Sequence, residues 1–195
     1  MFTGIITETG AVASVSRSNI AIRASAPFVR KLRYGASVAV DGACLTVVAK
    51  DARSFTADIM PETQKRTVIG ALRRGDTVNL ELPATPSSFL SGHIVQGHID
   101  GIGTVKKILK KSTSHIFSFS VLPSIARYIV TKGSVAIQGV SLTVISVRST
   151  TFTVGVIPHT FRGTAMRQLV PGDSVNIEVD VLAKYVKRFA QKHLL

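Results

Sequence analysis

The sequence predicts an all-β protein: two tandem, similar small β-barrels followed by a C-terminal amphipathic α-helix. Three observations carry this. Residues 37–81 return as residues 134–178 without a gap, and 18 of the 45 aligned positions are identical. Unrelated stretches of ordinary composition share roughly one position in fifteen, so the chain is an internal duplication. Within each copy, short runs rich in β-branched residues alternate with turn pairs. That is the signature of many short strands, and closing them into a barrel leaves no edge unpaired. After Asp180 the apolar period lengthens, with Leu182, Tyr185, Val186 and Phe189 at i, i+3, i+4 and i+7, which describes one face of a helix.

The first unit reads in order. Residues 2–6 predict a strand, Gly10 a turn and 11–15 a second strand. Residues 19–25 alternate and predict a third. Pro27 to Leu32 predicts a helical turn. Residues 37–40 and 45–49 are strands flanking the turn pair Asp41-Gly42, and 55–60 is the next. Pro61 and Glu62 open a short helix, because proline suits the first helical position and an acid suits the N-terminal dipole. Residues 73–76 are a turn and 77–82 the closing strand. Pro83 to Ser91 is the linker.

The second unit repeats this plan. Gly4, Gly10 and Val12 recur 93 positions later as Gly97, Gly103 and Val105. Its predicted strands are 97–108, 115–121, 134–137, 142–147, 152–157 and 174–179, with a helical turn over 124–130. The pattern divides the chain into units 1–88 and 89–181 and a tail, 182–195. The tail helix is expected to run to about Lys192. Its apolar stripe either packs on its own barrel or meets other subunits.

Composition narrows the function. The chain is 45% hydrophobic and 18% charged, which describes a globular protein. Its start lacks a basic segment leading into an apolar one, so no secretory signal is read there. No apolar run is long enough to span a bilayer. One cysteine, Cys44, precludes an intrachain disulfide framework, and a cytoplasmic protein without membrane contact is expected. The net charge is +13, but aromatics are only 6%. The basic residues are scattered rather than interleaved with stacking rings, so nucleic acid is not the expected partner.

No metal-ligand spacing, dinucleotide fingerprint or nucleophile elbow is present. What stands out is a pair of matched polar sets. Ser37, Cys44, Thr46, Glu62 and Thr63 in the first unit occupy the places of Ser134, Ser141, Thr143, His159 and Thr160 in the second. Two such rims suit a flat heterocycle with amide-like edges. The P-x-T segments serve equally well as helix starts. Cys44 faces the alternative of a small core residue. His98 stands where the first unit has Ile5, so the two halves are chemically unlike.

Taken together, MFTGII (1–6), DGACLTV (41–47), MPETQKRT (60–67), GHIVQGHID (92–100), GVSLTV (139–144), IPHTFRGT (157–164) and VNIEVD (175–180) resemble the riboflavin synthase family of the α-chain type, end to end. The resemblance implies two six-stranded Greek-key barrels and a homotrimer held partly by C-terminal helices, with the active site between subunits. It implies transfer of a four-carbon unit between two molecules of 6,7-dimethyl-8-ribityllumazine, giving riboflavin and 5-amino-6-ribitylamino-uracil, with no metal or organic cofactor. A non-catalytic lumazine- or flavin-binding protein of the same fold is the alternative.

Residue by residue, the resemblance puts the first barrel's lumazine contacts at Gly4, Ile5, Ile6, Ser37, Cys44, Leu45, Thr46, Asp58, Glu62 and Thr63. Phe2 and Thr3 lie beside them. It puts the second barrel's contacts at Gly97, His98, Ile99, Lys132, Ser141, Leu142, Thr143, Ile157, Pro158, His159 and Thr160. Catalysis is associated with Cys44, His98 and Asp180. The sequence departs from the family pattern at Gln138-Gly139, where an acidic or Asn-Gly pair is commoner, and at Ser91, where a glycine is usual.

Overall fold

The computed structural model describes residues 1–190, so the end of the predicted tail helix near Lys192 lies outside the described residues. Two closed six-stranded antiparallel barrels succeed one another along the chain. The first contains β1 (Glu8–Val15), β2 (Asn19–Arg23), β3 (Ser37–Val40), β4 (Ala43–Lys50), β5 (Ser54–Asp58) and β6 (Thr77–Glu81). Around the barrel these run β1-β2-β5-β4-β3-β6 and close, a Greek-key order, since β2 pairs with β5 across the β3–β4 hairpin. The second contains β7 (Gly101–Lys110), β8 (His115–Ser120), β9 (Ser134–Ile137), β10 (Val140–Arg148), β11 (Thr151–Val156) and β12 (Ser174–Val179) in the same cyclic order. The duplication extends to irregularities. Register shifts at Val12/Ser14 and Val47/Ala49 recur at Val105/Lys107 and Val144/Ser146.

Short helices plug the connections: α1 (Ala26–Lys31), α2 (Pro61–Arg66), α3 (Pro123–Ala126) and α4 (Pro158–Gly163). Both α2 and α4 start on proline and lead into a 3₁₀ turn, Val68–Ala71 and Ala165–Gln168, whose first N–H groups are capped by Thr67 and Thr164. The tail helix α5 spans Val181–Ala190. Each barrel encloses its own apolar core, one built around Ile20, Ile22, Phe55 and Leu80, the other around Phe117, Phe119, Phe152 and Ile177. No helix among the described residues is long and apolar enough to cross a membrane.

Three expectations need correction. Residues 2–6 are not a strand; one bridge, Phe2 to Val95, is their only ladder contact. Gly10 is not a turn but lies inside β1, where it lets Ile22 and Leu80 close over the backbone: a Cβ there would come within 2.7 and 2.8 Å of them. The predicted strand 97–108 is two things, a strap over 97–100 and then β7. At both straps the cause is shared: Gly4 and Gly97 take φ of 76° and 80°, in the left-handed region, which breaks the extended run.

The barrels meet about an internal two-fold axis. Asp41-Gly42 and Gln138-Gly139 both have positive φ (45° and 80°, 49° and 78°), the geometry of a two-residue hairpin turn. The turn tips touch: a Cβ on Gly42 would sit 2.6 Å from the amide nitrogen of Gly139. Around them runs a reciprocal set of buried hydrogen bonds. Asn79 Nδ2 donates to the Gln138 carbonyl at 2.9 Å, and its Oδ1 accepts from Ala165 N at 2.7 Å. Asn176 mirrors this, donating to the Asp41 carbonyl at 2.9 Å and accepting from Val68 N at 2.8 Å. The Asp41 carboxylate accepts from Asn79 N, and Gln138 Oε1 accepts from Asn176 N, each at 2.8 Å. Each bond contributes about 1 kcal/mol net, and an unmet partner in this buried setting costs more.

Asp41 is the ionisable member of this joint. Burial pushes its carboxyl up from 3.8 to about 7, against the opposing hydrogen bond from Asn79. The folded protein therefore keeps this proton over a range where the unfolded chain has lost it. The contribution is fully present below the unfolded pKa near 3.8 and disappears as pH rises through about 7. Gln138 does the same job with a neutral amide. Asp41→Asn keeps the acceptor and tolerates the left-handed φ. It is expected to stabilise the fold at pH 8 by roughly 1–4 kcal/mol, with the gain shrinking towards pH 4. Denaturant titrations of both proteins at several pH values check this; a pH-independent difference would contradict it.

Candidate active site

The last residue of β6 and its counterpart in β12 start the construction. Glu81 Oε1 and Oε2 accept from the amides of Thr3 and Gly4 at 2.7 and 3.0 Å. Glu178 accepts from Gln96 and Gly97 at 2.7 and 3.0 Å. Each carboxylate thus turns the strap that precedes its own barrel. The strap then lies against the other barrel. Gly97 O accepts from Cys44 N at 2.9 Å, and Gly4 O accepts from Ser141 N at 2.8 Å. Neither glycine can carry a side chain: a Cβ on Gly97 would lie 2.6 Å from Cys44 Cβ, and one on Gly4 would lie 2.6 Å from Ser141 Cβ. Phe2 and Val95 exchange backbone hydrogen bonds at 2.7 and 3.1 Å and join the two straps.

Two clefts result. Cleft A, about 510 Å³, is lined by Ala43, Cys44, Met60, Glu62, Thr63, Arg66 and Thr67 of the first barrel and by Gly97, His98, Ile99 and Asp100 of the second strap. Cleft B, about 160 Å³, is lined by Val140, Ser141, His159, Thr160, Gly163 and Thr164 of the second barrel and by Gly4, Ile5 and Ile6 of the first strap. The grouping of contacts by barrel is therefore exchanged: Gly4, Ile5 and Ile6 sit with Ser141, while Gly97, His98 and Ile99 sit with Cys44.

The remaining predicted residues divide. Side chains alternate along a strand, so Cys44 and Thr46 share the outer face of β4. Ser37 and Asp58 flank Thr46 in register. Thr143 stands likewise beyond Ser141 on β10, and Ile157 and Pro158 open α4 at the rim of cleft B. Leu45 and Leu142 point into the barrel cores. Phe2 and Thr3 belong to the first strap, are buried and line neither cleft. Lys132 is exposed and lines neither cleft; its φ is 68°, where the equivalent Gly35 has 76°. Asp180 lines neither cleft and accepts from Leu182 N at 3.0 Å at the start of α5.

The clefts differ chemically. Cleft A offers a thiol, an imidazole on the strap and Glu62 paired with Arg66 at 2.7 Å. Cleft B offers the Ser141 hydroxyl, with Ile5 on the strap and His159 opposite. Ser141 Oγ lies 2.7 Å from Nδ1 of His93, whose Nε2 is buried without a partner. Burial lowers the pKa of His93, partly offset by Asp180. Burial raises Glu81, and raises Glu178 to about 7, against the N–H groups each accepts. No group of His, Cys, Asp and Glu among the described residues could hold a metal ion.

Sequence reasoning passed over His93, Arg66, Glu81, Glu178, Asn79 and Asn176. The last four had a signal. The motif VNxE recurs in both closing strands, and its Asn and Glu fall on the outward face, opposite the core-facing Val and Leu.

A family model for the lumazine binding domain matches this chain twice, over residues 3–83 and 96–180. The chain is 38% identical over 195 residues to a riboflavin synthase of Bacillus subtilis, covering 98% of this chain and 91% of that protein. It is 42% identical over 197 residues to a riboflavin synthase of Mycobacterium tuberculosis, covering 96% and 97%. With a riboflavin synthase of Schizosaccharomyces pombe it shares 35% over 201 residues, covering 100% and 96%. Among solved structures, LumP complexed with 6,7-dimethyl-8-(1'-D-ribityl) lumazine superposes with a TM-score of 0.84 at 22% identity, covering 92% of this chain and 99% of that one.

The exchange of straps makes a specific prediction. Gly97→Ala forces the second strap off the first barrel, at a cost of about 1–3 kcal/mol. It should speed modification of the single thiol, Cys44, by a water-soluble disulfide reagent. Gly4→Ala carries a similar cost at the other cleft and should leave the Cys44 rate unchanged. Equal acceleration by both would show that the clefts are not separately walled.

Proposed function

The chain belongs to the riboflavin synthase family, and from that premise we propose how its two clefts divide the work. The activity is a transferase reaction: a four-carbon unit passes between two molecules of 6,7-dimethyl-8-ribityllumazine, giving riboflavin and 5-amino-6-ribitylamino-uracil. One observation carries the reading of the site. Two clefts related by the internal two-fold each combine the outer face of a strand with a strap of the other barrel, yet carry different reactive groups. That arrangement suits one compound bound twice in two roles.

In this reading each cleft holds one lumazine by Cys44 and Thr46, or by Ser141 and Thr143, with Glu62 and Thr63, or His159 and Thr160, at the rim. Carbanion and adduct charge spread over the ring, so fixed hydrogen-bond donors stabilise it more than a strong base would. Holding two rings face to face makes the largest contribution. His98, on the strap that walls cleft A, exchanges protons with the acidic C7 methyl. Cys44 shapes cleft A and donates weakly. A cytoplasmic location is part of the proposal, in keeping with one unpaired cysteine.

The site lies between subunits in the proposed assembly. Clefts A and B share no lining residue, which supports a site that each cleft completes with a cleft of a neighbouring chain. Lys132 is exposed with a left-handed backbone and donates its amide to the Val144 carbonyl at 2.8 Å, beside Thr143; in this reading it reaches a ring carried by a neighbouring chain, and strain kept at an exposed lysine supports such a role. On α5, Leu182, Tyr185, Val186 and Phe189 are 60–68% exposed, an apolar stripe suited to joining a trimer.

Incubation with the lumazine alone tests the activity; a stable complex without riboflavin would overturn it. His98→Gln is expected to lower kcat roughly a hundredfold while affinity changes little. Cys44→Ser should retain measurable turnover, and complete loss with lumazine still bound would point to covalent chemistry. Subunit mixing tests the geometry. Chains defective in cleft A (His98→Ala) and in cleft B (Ser141→Ala with His159→Ala) should regain about a quarter of wild-type sites when exchanged, since a site of one A and one B from neighbours escapes both lesions at that frequency. No recovery in demonstrably mixed oligomers would place the site within one chain.

A further inference from the structure

The two straps are built alike up to one point. Each is turned by a glutamate, and each is paired at its end to the closing strand: Thr7 N donates to Leu80 O at 3.1 Å, and Asp100 N donates to Ile177 O at 2.9 Å. Their side chains at this point differ. The Thr7 hydroxyl reaches the Leu80 carbonyl at 3.3 Å, a neutral local contact. The Asp100 carboxylate is held at both oxygens: Oδ2 accepts from Val179 N at 2.9 Å, and Oδ1 meets Lys184 Nζ at 2.7 Å. Lys184 belongs to α5, an element without a counterpart in the first unit. The unduplicated latch thus falls on the strap that carries His98, and its absence falls on the strap that carries Ile5.

We propose that Lys184 is a positioning residue for His98, the ammonium of the tail helix fixing the strap that presents the imidazole to cleft A. Only His98 and Ile99 lie between the anchored Gly97 and the anchored Asp100. With both ends tied, the His98 backbone has one placement. Losing the Lys184 pair leaves the Asp100 carboxylate held by Val179 N alone, beside the backbone bond to Ile177, and loosens the end of the strap next to His98. The pair is three-quarters buried, with side chains 29% and 24% exposed, so water screens it less than a surface pair.

Lys184 also balances local charge. Asp100 and Glu178 repel one another, and Lys184 offsets that repulsion at Glu178. The other titratable groups around the latch are Asp180, which caps α5, and His93, which feels Asp180. Among the described residues no other cation pairs with Asp100. Without Lys184 the two carboxylates face each other unopposed, and the strap's anchorage weakens as pH rises and Glu178 loses its proton.

This inference rests on His98 handling a proton in cleft A, and the test separates the two. Lys184→Met, Lys184→Arg, Asp100→Asn, His98→Gln and the double variant Lys184→Met/His98→Gln are assayed as full chains. The readouts are kcat and 6,7-dimethyl-8-ribityllumazine affinity across about pH 6 to 9, with oligomeric state measured by sedimentation. Lys184→Met is expected to lose about tenfold or more in kcat with at most about a threefold change in affinity, and to lose more at high pH. Lys184→Arg should restore most of the rate. Asp100→Asn, which alters no residue of α5, should reproduce the loss with an unchanged sedimentation profile; a loss that tracks altered sedimentation overturns the latch. The double variant should be no slower than His98→Gln alone. A silent Lys184→Met and Asp100→Asn beside a damaging His98→Gln, or additive losses in the double variant, overturns the latch. A silent His98→Gln overturns the reading beneath it as well.

Discussion

The reciprocal amide joint between the barrels is the constraint on which the rest depends. Asn79 and Asn176 each use both ends of the side-chain amide, one on the partner barrel's turn and the other on its 3₁₀ segment. An amide matched at both ends tolerates little rotation, since a shift leaves a buried donor or acceptor unmet. The joint therefore sets not merely that the barrels touch but where each strap falls on its neighbour. Cys44 meeting Gly97 and Ser141 meeting Gly4 are consequences of that setting. Hydrophobic contact alone, in the small cluster of Phe2, Ala39, Val95 and Ala136, would press the barrels together without choosing a register, because apolar burial is not directional.

Upon this symmetric frame the chemistry is asymmetric. The frame residues were kept as a pair: Asn with Asn, Glu with Glu, Gly with Gly. The cleft residues were not: Cys44 corresponds to Ser141, His98 to Ile5, Glu62 to His159 and Arg66 to Gly163. Frame and chemistry are carried by different side chains of the same strands, so one can vary while the other stays. In β6 and β12 the inward Val and Leu or Ile fill the cores, and the outward Asn and Glu form the joint and the clamp.

Much of this was legible in the sequence. Repetition revealed two units, period-2 patterning the strands, and the lengthened period after Asp180 the tail helix. The matched rims around Cys44 and Ser141 were visible as aligned polar positions. The straps were not legible, because residues 97–108 carry a continuous strand-like pattern and only the left-handed backbone at Gly97 breaks it. The exchange of straps was likewise out of reach. Alignment compares each half with the other, whereas the exchange is a fact about where the halves sit in space. His93 lay outside the repeat, so no aligned position drew attention to it. Its contact with Ser141 depends on the fold bringing residues 48 apart in sequence to 2.7 Å.

The exchanged straps also bear on ancestry. A single-copy forerunner carrying one barrel and one strap would have had no walled cleft as a monomer. Two copies pairing about a two-fold axis would have completed each other, as the two halves do now. In such a homodimer both clefts are encoded by one gene segment and every substitution appears in both, so a histidine gained on one strap is gained on the other. Fusion of the copies into one polypeptide lifts that restriction. It allows one strap to carry His98 while its twin keeps Ile5, and it gives one closing strand a helix to run into where the other has a linker. The covalent join is thus the step that permits two copies of the same cleft to specialise.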